Sequence, residues 1–324
     1  MSVVKQFAKT LLHSGGAIQG FRMLNRNAVR ILMYHRFPND TKPLREQCQH
    51  LIRHYQPISL RSLVDSLSED TPLPTNAIVI TVDDGYRDSY LYGYPIFREF
   101  GIPTTIFLVS DFLDRKIWLW WDRIAWAFQE SALDLVSVEF ANGVSKVFSL
   151  KTPSERLDSA QSLSQSLINL PNDERLQIIE SIPGLLQVDI PTLPPTKYEA
   201  MTWAEAKEMS NNGVELGAHT KTHPILSRLD DRQALADEIE GSKSTIEKEV
   251  GEQVIHFCYP NGSAVDFNEQ TVETVKRSGF LSAVTTERGM NDLKSDPFLL
   301  RRIGIDPYGD TPYFRELLAG VRAQ

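Results

Sequence analysis

Residues 78–86 read Ile78-Val79-Ile80-Thr81-Val82-Asp83-Asp84-Gly85-Tyr86, five β-branched residues that run straight into two adjacent carboxylates. The run predicts a buried strand over Ile78–Val82, and it places the acid pair at the strand's C-terminal end, where α/β folds locate their ligand sites. Neighbouring residues must point in different directions, so one carboxylate can bind a metal while the other faces a substrate as base. Alone, Asp-Asp-Gly is a common turn.

On either side of this strand, short β-branched or apolar runs alternate with helical patterns. Strands are expected at Val29–Tyr34, Thr104–Val109, Val214–Ala218, Val254–Tyr259 and Leu281–Thr285. Helices are expected over 44–55, 62–67, 87–100, 204–211, 231–250 and 268–278, with Gly101, Gly213, Gly251 and Gly279 in the positions of helix C-caps. Such alternation implies a largely parallel sheet, open or closed into a barrel. Residues from about 111 to 200 break the rhythm and read as a helical insertion, grafted on a loop of a domain that spans 29–324.

A second cluster follows the strand Val214–Ala218. His219-Thr-Lys-Thr-His223 spaces two imidazoles by four residues, which on a helical turn puts them on one face. With one Asp they make a two-histidine, one-carboxylate set that leaves positions open for water and substrate. Such a set accepts Zn²⁺, with Co²⁺, Ni²⁺, Mn²⁺ and Fe²⁺ as alternatives, and Zn²⁺ is the expected ion.

The remaining composition excludes more than it assigns. Of 324 residues 41% are hydrophobic and 23% charged, enough for a large core, and the formal charge is −8 with no basic run interleaved with aromatics, so no nucleic-acid surface is expected. Cys48 and Cys258 form neither a Cys-x-x-Cys pair nor a disulfide framework. No stretch approaches the roughly 18 apolar residues of a membrane span. Residues 1–39 carry Lys5, Lys9, Arg22, Arg26, Arg30 and Arg36 and no acid. Residues 1–28 thus form a basic amphipathic segment without the features of a secretory signal. It is expected to pack on its own domain, with peripheral membrane contact as the alternative. The expected location is cytoplasmic or peripheral to the inner membrane face.

Together the two clusters resemble the polysaccharide deacetylase family, the NodB-homology or carbohydrate esterase family 4 enzymes. Thr81-Val-Asp-Asp-Gly85 is similar to the family's Thr-Phe-Asp-Asp-Gly motif, and His219–His223 to its His-Thr-x-x-His motif. The resemblance implies a distorted (β/α) barrel, Asp83 as catalytic base, and Asp84, His219 and His223 as metal ligands. Phe257-Cys-Tyr-Pro-Asn-Gly262 occupies the position of the third motif, which implies an oxyanion donor at the amide of Asn261, with Tyr259 beside it. Cys258 stands where that family has the arginine that orients the base, so Arg301 and Arg302, in a late strand, are candidates to replace it. The usual late histidine acid is missing, whereas Ile31-Leu-Met-Tyr-His35 resembles the N-terminal motif of the permuted poly-N-acetylglucosamine deacetylase branch, which implies His35 as general acid, with His256 in reserve. A closed barrel makes the permutation natural, because its first and last strands are neighbours.

The activity implied is hydrolysis of N-acetyl groups on an amino-sugar polysaccharide or glycan precursor. A deformylase or deacetylase of a lipid-linked amino sugar and a non-catalytic sugar-binding module are the alternatives. The run Ile117-Trp-Leu-Trp-Trp121, with Trp126 and Phe128, is expected to be mostly core, with one or two tryptophans at the rim of the site.

Overall fold

The computed structural model describes residues 15–141 and 143–321. Among these are ten strands: β1 (Arg30–Tyr34), β2 (Gln56–Pro57), β3 (Ala77–Val82), β4 (Thr104–Leu108), β5 (Leu135–Glu139), β6 (Ser145–Ser149), β7 (Glu215–Ala218), β8 (His256–Cys258), β9 (Ser282–Arg288) and β10 (Leu300–Gly304). Seven of them close a parallel barrel in the order β1-β3-β4-β7-β8-β9-β10. Closure runs through β1, whose Leu32 lies opposite Ile80 of β3 on one side and Ile303 of β10 on the other. A closed ring leaves no unpaired edge. All six residues of β3 are buried, as expected of a strand with the barrel interior on one face and helices on the other.

The strands read from sequence are present within a residue or two, except that β9 runs three residues further, to Arg288, and β8 keeps only His256–Cys258 of the expected Val254–Tyr259. The helix expected over 87–100 contains a π-helical stretch, Ser89–Gly93, before the α-helix Tyr94–Glu99. Pro95 lacks the N–H that would continue the α ladder, and the widened turn takes up the break. Gly93 is required there, because a Cβ would lie 2.8 Å from the Phe37 ring.

Residues 120–190 build a second hydrophobic cluster around Ile124, Phe128, Phe148, Leu163, Ile179 and Leu186. It comprises the helices Trp120–Glu130, Pro153–Ile168 and Asn172–Leu186 and the antiparallel hairpin β5–β6. The hairpin escaped the helical reading of this stretch. Its signal is the alternation in β5, where Val136 and Val138 are buried and Leu135, Ser137 and Glu139 exposed.

Of the basic N-terminal segment, residues 1–14 lie outside the described residues. The described part is the helix Gly15–Leu24, which packs on the C-terminal helix Pro312–Ala319 and leaves Met23 and Leu24 exposed. No helix among the described residues is long and apolar enough to cross a membrane.

Candidate active site

The C-terminal ends of the barrel strands bring four of the expected residues into one buried cluster. Nε2 of His219 lies 3.1 Å from Nε2 of His223, and Oδ1 of Asp84 lies 3.6 and 3.8 Å from these two nitrogens. The three residues are at most 5% exposed. The histidines do not meet on a helical turn, contrary to the expectation from their spacing. Instead Thr220 and His223 adopt left-handed backbone conformations, φ +66° and +58°, and the Thr220 hydroxyl accepts a hydrogen bond from the His223 N–H at 3.0 Å. Glu238, on the helix Arg232–Val250, clamps this loop by accepting from the Lys221 and Thr222 amides and the Thr222 hydroxyl. Left-handed positions away from glycine cost free energy and persist where the surroundings impose them.

The donor set fits a divalent cation. Nδ1 of His219 is fixed by the Cys258 carbonyl at 2.8 Å, which makes it the N–H end and turns the lone pair of Nε2 toward Asp84. Burial holds His219 at about 4 and His223 well below the usual imidazole value, so both rings are neutral at pH 7 and free to coordinate. Asp84 is pushed well above the carboxylate range by burial and by the charge of Asp83. A buried acid pair of this kind is relieved by a bound cation.

Asp83 has a different environment. Arg302, fully buried in β10, forks onto it with two hydrogen bonds of 2.7 Å and also touches the Thr81 hydroxyl and the Cys258 sulfur. Burial alone would raise Asp83, but Arg302 and the neighbouring imidazoles more than reverse this, holding the carboxyl well below its usual range. The arginine missing from the third motif is thus supplied from the far end of the chain. Arg301, the other candidate, points outward, its backbone held by Asn291. Nε2 of His35 lies 3.8 Å from Asp83 Oδ2, with 46% of the side chain exposed to the cleft. His256 lies at the N-terminal end of β8, bonded to the Ser282 hydroxyl at 2.8 Å and away from the cluster, so it is no reserve acid.

The family profile for polysaccharide deacetylase matches residues 187–283. A putative polysaccharide deacetylase of Bacillus subtilis, YxkH, is 20% identical over 86% of this chain and 71% of its own length. Poly-β-1,6-N-acetyl-D-glucosamine N-deacetylase of Escherichia coli K12 is 36% identical over 75 residues, 23% of this chain and 11% of that protein. Among solved structures, the Streptococcus pyogenes deacetylase PplD in complex with acetate superposes with a TM-score of 0.56 at 18% identity, covering 87% of this chain and 94% of that one. Residues 187–283 thus resemble the polysaccharide deacetylase family, and the barrel has the fold of solved deacetylases.

The cleft has a volume of about 690 Å³ and is walled half by the barrel and half by residues 120–168. On the barrel side Asn261 adopts φ +57°, and among the described residues its backbone N–H makes no hydrogen bond within the protein. Its side-chain Nδ2 is buried and also unpartnered, a second donor that the sequence reading did not single out. Tyr259 corrects an expectation: its hydroxyl donates to the Phe298 carbonyl at 3.1 Å and its ring stacks on Phe267, so it braces the wall and offers no free hydroxyl to a substrate.

Residues 120–122 tie the insertion to the buried cluster. Trp121 donates to the Tyr86 hydroxyl at 2.9 Å, Tyr86 donates to Asp122 at 2.6 Å, and the Trp121 ring meets His223 edge-on at 4.7 Å. Arg36 covers the Tyr86 ring and pairs with Asp88. Burial raises Asp122 to about 6, against the pull of the Tyr86 hydrogen bond. Trp120 and Trp121 line the cleft, while Trp118 is buried. None of this network was legible in the aromatic run.

One pH dependence follows for the metal-free protein. His50, His219 and His256 are held by burial at about 4, about 4 and about 3, and His223 well below the free imidazole value. As pH falls from about 6.5 toward 4, the unfolded chain binds protons that these four sites refuse, so stability drops. Asp84, Asp88 and Asp122, all raised, act in the opposite sense, but His35 and His54 are lowered as well, so the imidazoles outnumber the acids six to three. Thermal denaturation of chelator-treated protein should therefore show a melting temperature that declines through this window. A rise on acidification would contradict the neutral imidazoles.

Proposed function

We propose that this polysaccharide deacetylase is a metal-dependent hydrolase that removes N-acetyl groups from an amino-sugar glycan. The observation that carries the reading is the division of the acid pair: Asp84 converges with two neutral imidazoles, while Asp83 is forked by Arg302 and faces the cleft beside His35. A divalent cation on Asp84, His219 and His223 would supply a Lewis acid and water of lowered pKa.

The protein's own groups do the rest. Asp83, ionised throughout the working pH range, accepts the proton of the attacking water, and Arg302 keeps its carboxylate oriented while doing so. The Asn261 amide, unpaired at the cleft wall, donates to the oxygen that gains charge as the acetamide carbonyl becomes tetrahedral. His35 gives a proton to the departing amine; burial lowers its pKa, and the adjacent Asp83 offsets this only in part. Acetate and a free amino sugar leave.

A sugar-binding module without catalysis has no need of a base held ionised by a buried arginine. A deformylase would use the same groups, and formate instead of acetate among the products is the outcome that would select it. The direct test is release of acetate from N-acetylated oligosaccharides, its loss on chelation and its return with Zn²⁺ or Co²⁺. No turnover on refilling would overturn the proposal.

The role given to His35 makes a sharper prediction. His35→Ala should bind metal normally and lose about 10²–10⁴-fold in turnover on an acetamide, whose amine must be protonated to leave. On an activated ester such as nitrophenyl acetate the defect should shrink, because that leaving group needs no proton. Equal losses on both substrates would give His35 a structural role.

A further inference from the structure

We propose that one face of the helix Pro153–Ile168 is a glycan-binding wall, which holds uncharged sugar units flanking the one that reacts. The proposal rests on the deacetylase reading and names its substrate as a neutral chain, several units long. Leu157, Ala160, Gln161, Ser164, Gln165 and Ile168 follow one another at three- and four-residue spacing and all line the cleft. The opposite face, Ser159, Leu163 and Leu167, is buried in the insertion's own core. Of the lining face, Ala160 and Ile168 also pack on that core, whereas Leu157, Gln161, Ser164 and Gln165 are presented to the cleft.

Its chemistry is that of a sugar. Three polar groups, the amides of Gln161 and Gln165 and the Ser164 hydroxyl, are flanked by apolar Leu157 and Ala160 on one side and Ile168 on the other. Among the described residues none of the three polar side chains makes a hydrogen bond within the protein. Amides both donate and accept, matching hydroxyl-rich rings, and the apolar positions match the C–H faces of a pyranose. At the inner end of the same surface, Trp120 and Trp121 carry it to His223.

Two other occupants fit less well. An alkyl chain would leave the three polar groups without partners, a desolvation cost that an apolar channel avoids. A phosphate- or carboxylate-bearing substrate needs an unpaired cation, yet Arg36 is the only lysine or arginine among the described lining residues, and it is paired with Asp88 at 2.6 Å. The volume of about 690 Å³ lies well inside the range of roughly 300–1,000 Å³ typical of sites that enclose whole drug-sized ligands. A catalytic centre for one acetamide would not by itself require the second wall.

The test is the dependence of kcat/KM on chain length for neutral N-acetylhexosamine oligomers of one to six units, with the metal-loaded protein. Wild type should gain about tenfold or more between dimer and tetramer, the equivalent of one or two hydrogen bonds to charge-free groups. In Gln161→Ala/Gln165→Ala, and separately in Ser164→Trp, which fills the cleft from a partly exposed position, that ratio should fall toward one. Unchanged metal content and melting temperature would show that the variants fold. A wild-type ratio near one, a ratio that survives both changes, or a preference for a polyprenyl-phosphate-linked sugar over the tetramer would overturn the wall. If wild type hydrolyses none of the oligomers, the deacetylase reading fails, and the wall is then judged by calorimetry on the same ratios of binding constants.

Discussion

Replacement of Arg302 by methionine is expected to cost about 3–5 kcal/mol of folding free energy, because it strands the Asp83 carboxylate in a fully buried position with its forked partner gone. Turnover should fall as well, by up to the roughly 10²–10⁴-fold attributed to a positioned base. The two effects have separable origins. Asp83 is now held well below the usual carboxylate range by Arg302 against the opposing push of burial. With the guanidinium removed, burial dominates and the carboxyl takes up a proton at higher pH. The acid limb of the kcat/KM profile should therefore move upward in Arg302→Met, whereas a purely structural role would lower the plateau and leave the limb in place. Arg302→Lys should not restore wild-type behaviour, since an ammonium cannot make the two parallel hydrogen bonds. In the double variant Asp83→Asn/Arg302→Met much of the stability should return while activity does not, because no buried charge is left unpaired. Chemical denaturation and pH–rate profiles on the same preparations check all of this.

The second large effect is expected at the candidate metal ligands. Asp84→Ala, His219→Ala and His223→Ala each remove one of three protein donors, and each should reduce bound metal and activity together. The fall in affinity should exceed the roughly 10–100-fold that loss of an outer hydrogen-bond partner alone produces. Metal content after dialysis, measured beside acetate release, decides it. Full occupancy in any one of the three would remove that residue from the ligand set.

What the chain disclosed by itself differs from element to element. The barrel was legible because its strands are apolar runs of the correct length and its helices end in glycines that do adopt positive φ, at Gly101, Gly213, Gly251 and Gly279. The acid pair and the histidine pair were legible because each is contiguous in sequence and follows a strand. The way the histidines meet was not, since a turn built on a left-handed Thr220 has no periodic signature and a spacing of four suggests a helix. Arg302 could be named only as one of two adjacent arginines: which one faces inward depends on the phase of β10, and its register with β9 shifts between Leu300 and Arg302. The Tyr86–Asp122–Trp121 contacts join segments some 35 residues apart across a loop of irregular path, and no local pattern encodes them.

Base and guanidinium lie 219 positions apart, just after β3 and on the last strand of the ring. Folding must respect that distance. A growing polypeptide displays Asp83 early and Arg302 only after nearly everything else has been synthesised, so the interior cannot seal around an ionised carboxylate until the final strand arrives. Before then β1 and β9 each expose one unpaired edge, the kind of surface that recruits other chains. Docking of β10 is thus expected to be a late event in folding, and chains cut short of residue 302 should be found as aggregates or as clients of chaperones, and not as weakly active enzyme.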